Sequence, residues 1–387
     1  MFLAGLRWAI LGAAVVPSFS YLLIIFAARS FFRRNRSAPR DFTPPLSLRK
    51  PVHGLDPEAY ENFAGFCRQD YPDYEILFAV TSEQDPATPV IRKLIADFPA
   101  LPIHLVVSPE KIGSNDKVNK LCGMARAARH NFLILSDADI RVGPGYLRSM
   151  AAPFRDAKVG AVTSLFTGVS LRSLWPELEA IYLSTDFMPA VLIARQVEGV
   201  RFAMGATVAV TRKSLAEIGG FEALANEAAD DYELGSRIAA RGHRVEIVDA
   251  SVKTWCCLQT LGEFYIQRLR WAIMARQARP LGYVGYIVTQ GLPWTVLAVI
   301  LAPTRFMACG YVAAYLILRM AAAWTMGIWG LRDDLLRRKW WLVPLWDAFA
   351  FVIWLNSLLW SRVRWQGVKY QVAGGRLIPV ATYPNKT

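Results

Sequence analysis

The chain has 387 residues, of which 54% are hydrophobic, and Lys plus Arg outnumber Asp plus Glu by 44 to 31, a formal net charge of +13. That apolar fraction argues against a wholly soluble protein. The positive charge is not gathered into blocks interleaved with aromatics, which argues against nucleic acid as a partner and leaves an anionic membrane surface.

From Leu3 to Ala27 the sequence is almost continuously apolar, interrupted mainly by Arg7, and about 20 such residues cross a bilayer core. Arg29, Arg33, Arg34, Arg36 and Arg40 follow the apolar run, whereas a cleaved signal peptide carries its positive charge ahead of it. Residues 1–28 are therefore expected to form a transmembrane anchor, with the chain after it in the cytoplasm. Residues 44–281 have the rhythm of an α/β domain. Strands are expected at Leu46–Leu48, Tyr74–Val80, Ile103–Val107, Phe132–Leu135, Val159–Phe166, Thr207–Val210 and Val245–Val248, with helices at Pro89–Asp97 and Lys117–Ala128. Strands alternating with helices predict a mostly parallel, Rossmann-like sheet whose ligands bind beyond the carboxyl ends of the strands. Residues 282–361 turn apolar again, with candidate spans near 283–302, 306–329 and 341–360 and ten of the thirteen Trp at or after Trp271, as an interfacial belt would place them. Three full crossings would leave Arg362, Arg364, Lys369 and Arg376 outside, so one segment is expected to be re-entrant or interfacial, with 341–360, which contains Asp347, as the candidate. Residues 362–387 read as a basic tail. The five cysteines, at 67, 122, 256, 257 and 309, form no CxxC and no paired spacing and read as reduced thiols.

Asp137-Ala138-Asp139 follows an apolar strand directly, so its two carboxylates either converge on one hard cation, Mg²⁺ or Mn²⁺, or are solvated turn residues. Asp85 lies in the loop after another strand. Asp230-Asp231 opens a helix-like stretch, where an Asp pair can also serve as a cap. Gln267-Arg268-Leu269-Arg270-Trp271 sits where the α/β part gives way to the apolar part; it suits an anionic or sugar-bearing ligand, or a juxtamembrane anchor. The apolar stretch Leu174–Val197 either lines a lipid entrance or lies on the membrane.

Taken in order, Asp85, Asp137-x-Asp139, Asp231 and Gln267-x-x-Arg270-Trp271 resemble the D, D, D, (Q/R)xxRW series of membrane-bound inverting glycosyltransferases with the GT-A fold. The stretches Lys50–Asp56, Asp70–Glu75, Asp85–Ala87, Gly113–Asn119, Ser136–Val142 and the tail Arg364-Trp365-x-Gly367-x-x-Tyr370 narrow the resemblance to the ceramide glucosyltransferase family and its bacterial relatives in hopanoid glycosylation. The resemblance implies an α/β GT-A catalytic domain in the cytoplasm, carried by a multi-pass protein of the bacterial inner membrane. It implies a UDP-sugar donor and a lipid acceptor: UDP-glucose with ceramide, or UDP-GlcNAc with a hopanoid. Asp85, with Lys50 and Lys117 near it, would bind the uridine end. Asp137 and Asp139 would hold the metal and diphosphate, Asp231 would be the general base, and Gln267, Arg270 and Trp271 would close the floor beneath diphosphate and acceptor. A processive polysaccharide synthase shares these motifs but needs more spans, and a scaffold with a degenerate transferase domain would have lost a carboxylate. Where the animal ceramide enzymes carry a His, this chain reads Thr185-Asp186-Phe187, which bears on the acceptor.

Overall fold

The computed structural model describes residues 2–36, 38–56, 58–170, 173–365, 368–373 and 376–379. The chain divides into two compact units: Ser37–Thr167 with Gly199–Cys257 and Arg364–Thr387, and Met1–Arg36 with Gly168–Glu198 and Leu258–Val363.

The first unit is α/β. Among the described residues its sheet has eight strands: β1 (Leu46–Pro51), β2 (Tyr74–Val80), β3 (Ile103–Val107), β4 (Phe132–Ser136), β5 (Ile140–Arg141), β6 (Val159–Ser170), β7 (Thr207–Thr211) and β8 (Arg244–Cys256), in the spatial order β3-β2-β1-β4-β7-β6-β8-β5. All seven expected strands are present; β5, two residues long, was too short to leave a pattern. β3, β2, β1 and β4 run parallel, with Lys50 beside Phe78 and Leu48 beside Ile134, whereas β7 pairs antiparallel with both β4 and β6. β2 reads as an apolar run because it is buried along its whole length, as central parallel strands are. Leu77, Leu121, Leu133, Val208, Val210, Phe221, Leu234 and Ile238 share one core cluster. β1 is also buried throughout, although it carries two cations: Arg49 lies over the Phe221 ring at 4.6 Å, and Lys50 reaches the sheet edge.

Two helices bring polar residues to that edge. Helix Asp116–Ala127 is capped by Asn115, whose side chain accepts from the Val118 N–H. Helix Asp230–Ala240 starts from Ala229, which has no side-chain cap, and the Asp230-Asp231 pair lies in its first turn, where Asp231 accepts the Tyr232 N–H. Three short strands, β9 (Arg362–Trp365), β10 (Val368–Ala373) and β11 (Arg376–Pro379), form a second sheet where the sequence suggested a plain basic tail. Gly367 of the tail motif lies outside the described residues.

The second unit is helical. Among the described residues three helices are long and apolar enough to cross a membrane: Ala4–Arg36, Arg305–Gly330 and Asp334–Leu359. A fourth segment is broken: Pro280–Thr289 and Gly291–Leu301 meet at 48°. All but the last residue of 341–360, expected to be re-entrant or interfacial, fall within Asp334–Leu359, and the bent pair lies at Gln290–Gly291. A Cβ on Gly291 would stand 2.4 Å from the Tyr21 hydroxyl, which accepts the Gly291 N–H at 3.1 Å, so only glycine allows this approach. Asp347, the reason for suspecting 341–360, is balanced inside the bundle by Arg319, which donates to both of its carboxylate oxygens. The stretch 174–198 belongs to this unit and forms two helices joined by a π-helical turn, Leu183–Phe187.

A test of the packing that places Asp231 is Gly235→Ala. Helix propensity favours Ala by about 1 kcal/mol. However, the new Cβ would lie 2.2 Å from the Ala203 backbone nitrogen, where no flexible atom can yield. Overpacking of this kind costs about 1–3 kcal/mol or more and wins, so the thermal midpoint of the variant should fall; an unchanged or raised midpoint would contradict the packing.

Candidate active site

At the carboxyl end of β4 the chain turns through Asp137 and Asp139. The Asp137 N–H is tied to the Ala206 carbonyl (3.2 Å), and the Asp139 carboxylate accepts the Thr254 hydroxyl of β8 (2.8 Å). Lys50, from the end of β1, donates to the Asp137 carbonyl at 2.6 Å while its ammonium lies 3.9 Å from the centre of the Phe66 ring. Lys117, in the first turn of its helix, lies 2.7 Å from Asp137 Oδ1 and 3.7 Å from Asp230 Oδ2. Asn115 Nδ2 holds the other Asp230 oxygen at 3.1 Å. Asp231 comes to the same place by another route, because Gly205 faces both acids. A Cβ there would lie 3.0 Å from Asp231 Oδ2 and 3.8 Å from Asp137 Oδ2, so the two carboxylates border one side-chain-free gap.

The electrostatics follow from packing these charges together. Burial lifts Asp139 to about 7, and the neighbouring Asp137 adds to the shift. Burial, then Asp230, lifts Asp231 to about 6 against the pull of Lys117. Asp137 is also raised, because its burial outweighs the Lys117 ion pair. Burial alone would lower Lys117, but Asp137, Asp230 and Asp231 outweigh it and hold its ammonium well above the ordinary range. Lys50, desolvated in β1, falls to about 7 even though Asp139 and Asp137 oppose the shift. The cluster therefore carries more buried negative charge than its lysines neutralise.

Asp85 is held separately, on the loop edge beyond β1 and β2. Its two oxygens accept the N–H groups of Gly54 (3.1 Å) and Ala87 (2.9 Å), which joins the loops after those two paired strands. Gln267, Arg270 and Trp271 belong to the helical unit, on helix Leu261–Ala278, whose start is closed by a Thr260/Glu263 capping box. There Arg270 donates to Gln267 Oε1 at 3.1 Å, and burial with the like charge of Arg268 lowers it to about 10. Arg268, which the motif treats as a spacer, is the buried cation of the turn. It pairs with Glu179 at 2.7 Å and lies over the rings of Tyr182 and Trp271.

The sequence brought out Lys50, Lys117, Asp137, Asp139 and Asp231, which the fold gathers, but not Gly205, Asn115 or Thr254. Asn115 carries a readable signal, as an Asn directly before a helix; a lone glycine or threonine carries none.

Asp231→Asn tests these electrostatics without a substrate. The group is raised from 3.8 to about 6 in the fold, so the folded state loses stability as the pH rises from about 4 to about 6, and the cost is constant above that. Below the unfolded value both states are protonated and the cost disappears. Thermal melts in chelator should show the variant equal to wild type near pH 4 and increasingly more stable as the pH rises to about 6, level thereafter; a constant difference would contradict the shift.

The family model described as glycosyl transferase family 21 matches residues 9–378. Ceramide glucosyltransferase 1 of Caenorhabditis elegans is 29% identical over 248 residues, 63% of this chain and 53% of that one. A ceramide glucosyltransferase of Gibberella zeae is 29% identical over 169 residues, 39% of this chain and 31% of that one. The chain thus spans about half the length, or less, of these curated relatives. Among solved structures, a mannosyltransferase from Pyrobaculum calidifontis in complex with GDP-Man and Mn²⁺ aligns with a TM-score of 0.51 at 19% identity, covering 90% of this chain and 99% of that one; the likeness is one of fold.

Proposed function

The chain belongs to glycosyl transferase family 21, and on that footing we propose that it is an inverting membrane glycosyltransferase that moves a hexose from a UDP-sugar to a lipid hydroxyl, with UDP-glucose and ceramide as the pair. The observation that carries the reading is the convergence of Asp137 and Asp231 on the gap at Gly205, with Asp139 and Lys117 beside them. The ceramide glucosyltransferase relatives support the choice of lipid.

In this reading Asp231 is the general base. Its Oδ2 faces Gly205, which adds no side chain, and a folded pKa of about 6 leaves it ionised at neutral pH yet basic enough to accept a proton. The acceptor oxygen attacks the anomeric carbon, the bond to the UDP oxygen breaks, and the hydroxyl proton passes to Asp231. One displacement with no enzyme nucleophile turns an α-linked donor into a β-linked product. Lys117 sets the local charge between the two acids, and Lys50 fixes the Asp137 turn through its carbonyl. Asp85 ties the loop edge that would take the uridine end, while Gln267, Arg270 and Trp271 would meet the diphosphate and acceptor.

Asp137 and Asp139 fit a divalent cation. Both offer hard oxygen donors, and their raised pKa values mark negative charge that the lysines leave uncompensated. When bound, Mg²⁺ or Mn²⁺ would neutralise charge growing on the departing diphosphate. Among the described residues no group of three His, Cys, Asp or Glu is placed to hold a metal ion, so these two aspartates would be the protein's share of the ligands.

The test is UDP release by the purified full chain with UDP-glucose, an N-acyl sphingosine and Mn²⁺, with the product's anomeric configuration read by NMR. A β-linked product is expected, and activity should fall on chelation and as pH drops through about 6. Asp231→Asn should lose about 10²–10⁴-fold in kcat while retaining UDP binding. An α-linked product, or normal turnover by the variant, would overturn the mechanism.

A further inference from the structure

The strands at the end of the chain, which read from the sequence as a plain basic tail, belong to the α/β unit from Arg364 onward. β10 and β11 pair antiparallel, with Tyr370 beside Pro379 and Ala373 beside Arg376. Tyr370 and Val372 lie two apart and so on one face of β10; both are buried, whereas Gln371 between them is exposed. One face of the strand is therefore covered by protein. Two polar contacts show where this pair of strands is seated. The Tyr370 hydroxyl donates to the Ser114 carbonyl at 3.5 Å, and Arg376 bridges to Glu227, its Nε 4.0 Å from Glu227 Oε1.

The two seats lie on segments that are already joined to each other. The Asn115 N–H donates to the Ala225 carbonyl at 2.8 Å, the Ser114 N–H to Asn226 Oδ1 at 3.0 Å, and Asn115 Nδ2 to the Glu227 carbonyl at 3.0 Å. Gly113 permits the approach, since a Cβ there would stand 2.3 Å from the Ala225 carbonyl oxygen. Beyond the join, each segment runs into a helix that carries site residues, Lys117 on Asp116–Ala127 and the acid pair on Asp230–Ala240. The join thus sets the 3.7 Å between Lys117 and Asp230 and the 3.1 Å between Asn115 Nδ2 and Asp230 Oδ1. Arg376 is largely exposed, so its ion pair alone holds little. What the paired strands add is a single piece that touches both segments, through Tyr370 on one and Arg376 on the other, so drawing the segments apart breaks a contact on at least one side.

We propose that Tyr370 and Arg376 are positioning residues for the transfer reaction, a deepening that rests on the transferase reading above. The C-terminal strands clasp residues 113–115 to residues 225–227, and through that clasp hold Lys117 and the Asp230-Asp231 pair at their separation. Neither residue has to touch sugar or lipid to do this. A misplacement of about 1 Å costs on the order of 10²-fold in rate, so the clasp acts on turnover rather than on binding.

The full chain in phosphatidylcholine nanodiscs would be compared with two double variants. Tyr370→Ala with Arg376→Glu removes the ring and sets a like charge against Glu227; Tyr370→Phe with Arg376→Lys keeps both ring and charge. Amide exchange is read by mass spectrometry without substrate, and UDP release with UDP-glucose and an N-acyl sphingosine gives kcat and both KM values. In the first variant, exchange across residues 113–118 and 225–231 should quicken about tenfold or more, while β2 stays as protected as in wild type. Its kcat should fall about tenfold or more with both KM values within about twofold, and the second variant should recover exchange and kcat together. Unchanged exchange in both segments, an unchanged kcat, a raised donor KM with kcat intact, or exchange that quickens along β2 as well would overturn the proposal. Local exchange that depends on the clasp, in a chain whose wild type releases no UDP, would uphold the clasp and overturn the transferase reading instead.

Discussion

The α/β unit is organised around buried negative charge that its own cations do not cancel. Asp137, Asp139, Asp230 and Asp231 are drawn together by elements that each have another reason to be where they are: β4 is a central strand of the sheet, and helix Asp230–Ala240 is seated through Leu234 and Ile238 in the core. Burial and the neighbouring carboxylates raise the pKa values of Asp137, Asp139 and Asp231, and Lys117 moderates the effect on Asp137 and Asp231 without removing it. The surrounding devices serve to keep the acids in place at that cost. Asn115 holds Asp230, Thr254 holds Asp139, and Gly205 withholds a side chain from the gap. A cationic ligand or a proton in transit relieves the strain, which is why the same feature disfavours stability and suits transfer chemistry.

Much of this was legible in the sequence, for reasons specific to each element. The seven longer strands announce themselves because buried β-branched runs cannot be mistaken for solvated loops, and the acids at their ends stand out against apolar neighbours. β5 is two residues long and has no period. β9–β11 went unread because their charges drew attention to membrane topology, although Val363, Tyr370 and Val372 are buried in a strand context. Gly205 leaves no trace because its contribution is an absent side chain. A re-entrant or interfacial segment is expected at 341–360 from the basic residues that follow it and from Asp347. Arg319 neutralises that carboxylate inside the bundle, and the helix break that the sequence did not signal lies at Gln290–Gly291, where steric fit requires glycine.

The QxxRW segment shows the same limit of motif reading. Its helix is placed by an ordinary capping box, and the turn is anchored by Arg268, the residue that the pattern leaves unspecified. Two of the Arg268 guanidinium nitrogens have no hydrogen-bond partner among the described residues, yet the ring faces of Tyr182 and Trp271 lie beneath it. Aromatic faces and one carboxylate thus hold this cation where a fuller hydrogen-bond set is missing. The arrangement orients Trp271 as a by-product, so the motif's indole depends on a neighbour that the motif does not name.

The close approach of Tyr21 to Gly291 has a consequence for how the protein is made. The two residues lie 270 positions apart, and Leu11, whose carbonyl accepts the Tyr311 hydroxyl, waits for a partner 300 positions later. At synthesis rates of about 5–20 residues per second, Tyr21 and Leu11 wait on the order of 14–60 s for the residues they meet. During that interval Ser37–Thr167 and Gly199–Cys257 of the α/β unit emerge. The helix that carries Tyr21 must therefore hold its place on its hydrophobicity alone until Gly291 and Tyr311 are made.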